Sequence, residues 1–85
     1  MVTIEVLSDH GPTGLKMEQT VRQALLDLED AEIDAALTQT ADRVVWARYG
    51  LRNPPGLVIH DRLVCEGRIP KESEVVQWLG SVEVA

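Results

Sequence analysis

The spacing of the apolar residues switches from two to about 3.6 and back again within the first half of this chain. Val2, Ile4 and Val6 alternate with Thr3 and Glu5, and Leu7 follows. That is the period of a strand. Met17, Val21, Ala24, Leu25 and Leu28 then recur at helical spacing, and Ile33, Ala35 and Leu37 alternate once more. A strand, a helix and a strand in immediate succession leave the two strands parallel, with the helix crossing between them. This excludes a simple meander or a helical bundle.

The pattern predicts a strand over Val2–Leu7, a helix from about Thr13 to Leu28 and a strand over Ala31–Thr38. Pro12 suits the first helical turn, where its missing N–H has no intrahelical use. Thr40 reads as the cap of a second helix, with Asp42 in its first turn and Gly50 as its stop. Ala41, Val44, Val45 and Tyr49 form that helix's apolar stripe. Asn53-Pro54-Pro55-Gly56 interrupts the chain. Leu57–His60 and Leu63–Glu66 are two short strands joined by Asp61-Arg62, a minimal hairpin. A last helix opens at Pro70, buries Val75, Trp78 and Leu79 on one face and ends at Gly80. Ser81–Ala85 is expected to be a loose tail. The resulting order is βαβαββα: an α/β domain with a four-stranded mixed sheet and helices on both faces.

Eighty-five residues make one domain with a small core. The 45% hydrophobic content is that of a folded chain, so disorder is excluded. A net charge of −6 repels phosphate backbones and anionic lipid, so neither nucleic acid nor membrane is an expected partner. No apolar run reaches the length of a membrane span, and a cytoplasmic location is expected. With Cys65 as the single cysteine, an internal disulfide is impossible and no metal site has a recognisable ligand set. No cofactor is expected.

Two stretches carry a family resemblance. The first is Tyr49-Gly50-Leu51-Arg52-Asn53-Pro54-Pro55-Gly56-Leu57-Val58-Ile59, followed by Leu63-Val64-Cys65-Glu66-Gly67. The second is the turn Ser8-Asp9-His10-Gly11-Pro12-Thr13-Gly14 after the first strand. Order and motifs together resemble the thioredoxin/glutaredoxin superfamily, in particular its very small bacterial and archaeal members, over about residues 2–80. The resemblance implies a thioredoxin-like fold with Pro55 as the family's cis-proline. It also implies a Cys-x-x-Cys pair in the first turn, where Gly11 and Gly14 stand instead. Disulfide exchange needs one thiolate to attack and a second thiol to resolve the mixed disulfide, and glycine does neither. In the family the residue before the cis-proline offers its N–H and C=O to an extended substrate. Pro54 has no N–H to offer. Were Pro54 the cis residue, Asn53 would restore the donor.

The candidate binding surface therefore comprises His10, Gly11, Thr13, Asn53, Pro54 and Pro55. The start of the first helix, with the Thr13 hydroxyl and His10, reads either as a plain strand-to-helix turn or as an anion site. Cys65 reads either as a small buried apolar residue or as a lone redox thiol flanked by Arg62 and Arg68. Alternation places Leu63 on its face. His60 reads as solvated. Trp46, beside Arg43 and Arg48, reads as a packing residue or as a partner-binding anchor. Glu29, Asp30, Glu32 and Asp34 form a solvated acidic patch. The leading expectation is a redox-inactive thioredoxin-fold domain that binds a partner protein or small ligand. The alternatives are a thiol-dependent role through Cys65 and non-thiol catalysis at the glycine turn.

Overall fold

The computed structural model describes residues 2–9, 11–28 and 33–84, the last three as backbone only. Its elements run β1 (Val2–Leu7), α1 (Pro12–Asp27), β2 (Ala35–Thr40), α2 (Arg43–Arg48), β3 (Gly56–Ile59), β4 (Arg62–Glu66) and α3 (Glu72–Val84). This is the α/β order read from the sequence. The four strands form one sheet in the order β2-β1-β3-β4. β1 pairs with β2 in parallel, while β1–β3 and β3–β4 are antiparallel.

The alternation in β1 divides the sheet's two faces. Val2, Ile4 and Val6 join Leu57, Ile59 and Cys65 in the main core. Met17, Val21 and Ala24 of α1 and Val75 and Leu79 of α3 close over them, with Trp78 packed at the margin. A fully buried aliphatic or thioether side chain contributes about 1.5–3 kcal/mol, so this face carries most of the stability. The opposite face holds α2. There Glu5 meets Tyr49, and Leu7 and Val58 are buried outside the main core.

Several boundaries differ from the sequence reading. The second strand runs over Ala35–Thr40 because its register is set by parallel pairing with Val2–Leu7. Thr40 is thus the last residue of β2, opposite Leu7, and does not cap α2. Asp42 is the cap, its carboxylate accepting the Val44 N–H at 2.9 Å. The proposed α2 stripe is not a buried face. Ala41 and Val44 are exposed, while Val45, Trp46 and Tyr49 are half-buried. The helix is only six residues long, and two side-chain bonds fix its roll. The Trp46 indole N–H donates to Thr40 O at 2.9 Å, and the Tyr49 hydroxyl donates to Glu5 Oε2 at 2.6 Å.

The hairpin turns one residue earlier than expected, at His60-Asp61. Both residues have positive φ, 52° and 67°. Paired left-handed residues match the twist of the adjoining strands, and Ile59 consequently pairs with Arg62. A register shift follows. Leu57 faces Cys65, yet Val58 faces Leu63. Val64 is therefore an extra residue in β4, a bulge that reverses the alternation. Leu63 and Cys65 lie on opposite faces, contrary to the sequence expectation.

Pro70 is buried ahead of α3, which begins at Glu72. The helix does not stop at Gly80. It continues through the stretch expected to be a tail, as far as Val84. No helix among the described residues is long and apolar enough to cross a membrane.

Candidate functional site

Three connections meet at one end of the sheet. β1 and β2 run parallel and finish there, and β3 starts there. Leu7 is paired with Gly56, so the turn after β1 lies beside the segment that ends in Pro55. The Ser8 N–H donates to Thr40 O at 3.1 Å, which brings the start of α2 to the same end. In open α/β sheets the crevice outside the carboxyl ends of the parallel strands is the usual ligand position.

The Pro54–Pro55 peptide bond is cis. Pro55 is buried and its carbonyl accepts the Gly67 N–H at 2.9 Å, while Asn53 and Pro54 are exposed. The residue before the cis-proline is therefore Pro54, which has no backbone N–H to donate.

Across from this loop, Gly11 is the N-cap residue of α1 and Pro12 occupies the first turn. Gly11 donates its N–H to Asp9 Oδ1 at 3.0 Å, and no side chain caps the helix. Thr13 is exposed. His10 lies outside the described residues, as do Glu29, Asp30 and Glu32 of the acidic patch. The two glycines differ in kind. A Cβ at Gly11 would meet only the terminal carboxylate of Asp9, 2.9 Å from Oδ1. A Cβ at Gly14 would overlap Ser8 Oγ and come within 2.8 Å of Ser8 Cβ and 2.9 Å of Gln39 Oε1. Gly14 is buried under these groups.

The groups that press on Gly14 belong to a chain of polar contacts absent from the sequence reading. Ser8, 3% exposed, donates from Oγ to Gln39 Oε1 at 2.8 Å. Gln39 Nε2 donates to Glu18 Oε2 at 3.0 Å. Arg22 grips the other oxygen of Glu18 through Nε and Nη2 at 3.0 and 2.8 Å. A buried hydroxyl left without a partner would cost about 1–3 kcal/mol; here the bonds tie β1, β2 and α1 together. The only sequence signal was a polar Gln in an otherwise strand-like segment.

Cys65 is elsewhere. It sits two strands away from β1, 7% exposed, within the main core. Its thiol donates to Arg68 O at 3.5 Å. Burial raises its pKa above the ordinary 9.0; Arg68 opposes that shift, and Glu74 and Glu66 add to it. On the α2 face, the Tyr49 hydroxyl is pushed up to about 12, first by its hydrogen bond to Glu5, then by burial and the neighbouring carboxylates. His60 is exposed in the hairpin.

Next to the cis-proline loop is an open groove of about 360 Å³ lined by Arg43, Trp46, Ala47, Leu51, Arg52 and Pro54. Trp46 with Arg43 was visible as a candidate pair in the sequence. Arg52, Leu51 and Pro54 join it only in three dimensions, and Arg48 does not line it. A larger hollow of about 570 Å³ lies between α1 and the β4–α3 link, where it includes none of the residues at the sheet's end. No group of three or more potential metal ligands occurs among the described residues.

A four-stranded mixed sheet flanked by helices on both faces, with a cis-proline loop beside the turn that opens α1, defines a thioredoxin-like α/β domain. The family model described as the thioredoxin domain matches residues 2–80, and the chain belongs to that family. A comparison with curated proteins gives no match.

Proposed function

We propose that this domain is a redox-inactive binding module, which holds a partner protein or small ligand at the end of the sheet formed by the Gly11–Gly14 turn and the Asn53-Pro54-Pro55 loop. The observation that carries the reading is the packing of Gly14. The second cysteine of a family-type pair would have to stand where Ser8 and Gln39 already are. The turn is thus built around glycine. Gly11 adds the loss of the attacking thiol, since exchange begins with a thiolate. Thr13 in the turn and Asn53 and Pro54 in the loop are exposed, and Pro54, which has no N–H, favours contact through side chains over a two-bond backbone clamp. The acidic composition disfavours nucleic acid and anionic membrane, which supports a protein or small-ligand partner. The alternative role for Cys65 has less support, because a buried thiol with a raised pKa is a poor nucleophile at neutral pH.

The test is reduction of insulin by dithiothreitol. The pure protein is expected to leave the rate of turbidity unchanged, and the Cys65→Ser variant to behave identically. Acceleration by the wild-type protein would refute redox inactivity. Acceleration lost in Cys65→Ser would move the chemistry to that thiol.

A further inference from the structure

The groove beside the cis-proline loop has a charge opposite to that of the whole molecule. The chain carries 14 acidic and 8 basic residues. The stretch 43–52 contains Arg43, Arg48 and Arg52 and no acid. Arg43 and Arg52 line the groove. The ion pairs among the described residues are Arg22–Glu18 and Arg68–Glu74, so neither groove arginine is neutralised. The negatively charged carboxylates of Asp42 and Glu66 accept backbone N–H groups nearby but form no ion pair with either groove arginine. Asp42 accepts the Val44 N–H at 2.9 Å, and Glu66 accepts the Arg52 N–H at 2.9 Å.

Between the guanidinium groups the lining is apolar. Leu51, Ala47 and Pro54 contribute hydrocarbon. Trp46 contributes its ring alone, because its one donor is committed to Thr40 O. An arginine fork matches the geometry of a carboxylate, and tryptophan and arginine are both among the residues enriched at energetic centres of interfaces. The groove is open and framed by exposed side chains, unlike the enclosed pockets that bury most of a small ligand.

The geometry points to an acidic protein segment as the occupant, with carboxylates on Arg43 and Arg52 and an apolar side chain against Trp46, Leu51 and Pro54. This rests on the binding-module reading and gives its partner a chemistry. The molecule's overall negative charge does not prevent it, since charges beyond a Debye length of about 8 Å are largely screened at physiological salt. A neutral or basic segment would leave two desolvated arginines unpaired, so the same groups that attract one class reject the other.

The test uses the isotope-labelled full chain and pools of short amidated peptides. One pool alternates aspartate or glutamate with leucine, valine or phenylalanine. A second replaces the acids by asparagine and glutamine, and a third by lysine. The acidic pool is expected to shift the amides of residues 43–54 and the Trp46 indole N–H. Half-saturation should rise about tenfold in Arg43→Gln with Arg52→Gln, and similarly at about 0.5 M salt. The variant's own amide spectrum confirms its fold. An equal response to the neutral pool would overturn the charge inference and leave the binding module standing. Shifts confined to other surfaces would overturn it too. Silence from every pool at both 43–54 and the 11–14 turn would remove the binding module as well. Self-association of the wild type, abolished by the arginine changes, would make a second copy the occupant and refute a foreign segment.

Discussion

Gly14 and Tyr49 each tie a single side-chain position to a measurable property. At Gly14 the added methyl of Gly14→Ala overlaps Ser8 Oγ and crowds Gln39. Overpacking of this kind costs roughly 1–3 kcal/mol, and urea unfolding is expected to show it as a lower midpoint with an unchanged slope. Adding Ser8→Gly removes the two Ser8 atoms but leaves Gln39 Oε1 in place, and should restore part of the loss. Gly11→Ala should cost less than Gly14→Ala, because its Cβ meets only the terminal carboxylate of Asp9, although alanine is the poorer N-cap. Tyr49 is the one tyrosine in the chain, so its absorbance titration is unambiguous. The midpoint is expected near pH 12 in the native protein, against 10.0 for an ordinary tyrosine. A folded-state pKa raised in this way stabilises the protein fully below the unfolded value and less as pH climbs. Stability attributable to Tyr49 is therefore lost between about pH 10 and pH 12, and Tyr49→Phe should flatten that part of the stability profile. A midpoint at the ordinary value would mean that the Glu5 bond does not form in solution.

Element boundaries here depend on a few polar contacts as much as on periodicity. α3 is the clearest instance. Glu74 lies in its first turn and accepts the Lys71 N–H at 3.0 Å, which is half of a capping box. Its two oxygens also receive Arg68 Nη1 and Nη2 at 2.9 and 2.8 Å. These bonds, with the Arg68 pair the larger cause, hold the carboxyl down at about 2, from an ordinary 4.5. A depressed folded-state pKa stabilises above the unfolded value and loses that contribution as pH falls. Stability should decline from about pH 4.5 toward pH 2, and Glu74→Gln should remove that share of the acid dependence. A wild type and variant with parallel acid profiles would mean the cap does not contribute. The same arrangement explains why the helix starts at Glu72 and not at Pro70. Proline has the backbone angle for a first turn but no side chain to fix the start, whereas Glu74 does.

The whole molecule is stabilised mainly from one side. α1 and α3 pack on each other and on the same sheet face, and α2 covers the other with no fully buried residue. Leu79→Ala, at the meeting of α3 with the sheet, is expected to cost about 2–5 kcal/mol. That is a large part of the stability of a domain this size. Tryptophan fluorescence and far-UV circular dichroism should still report one coincident urea transition; a split would mean that α3 unfolds apart from the sheet. Much of this architecture was legible in the chain itself. The periods of Val2–Leu7 and Met17–Leu28 give a strand and a helix, and their succession gives a parallel crossover. The Pro54-Pro55 break and the Val75, Trp78, Leu79 face likewise reduce to local chemistry, which a linear pattern records. The rest required the folded molecule. The bulge at Val64, which sends Leu63 and Cys65 to opposite faces, arises from pairing with β3 and leaves no mark on alternation. The end of β2 at Thr40 follows from the length of β1, not from its own residues. The crowding of Gly14 by Ser8 and Gln39, and the union of Arg43 with Arg52 and Pro54, join positions far apart in sequence. Sequence by itself determined which segments become strands and helices and which cysteines are absent, because propensity and covalent identity are local. Tertiary structure alone decided which side chains face one another, because that depends on register and on the sheet that brings them together.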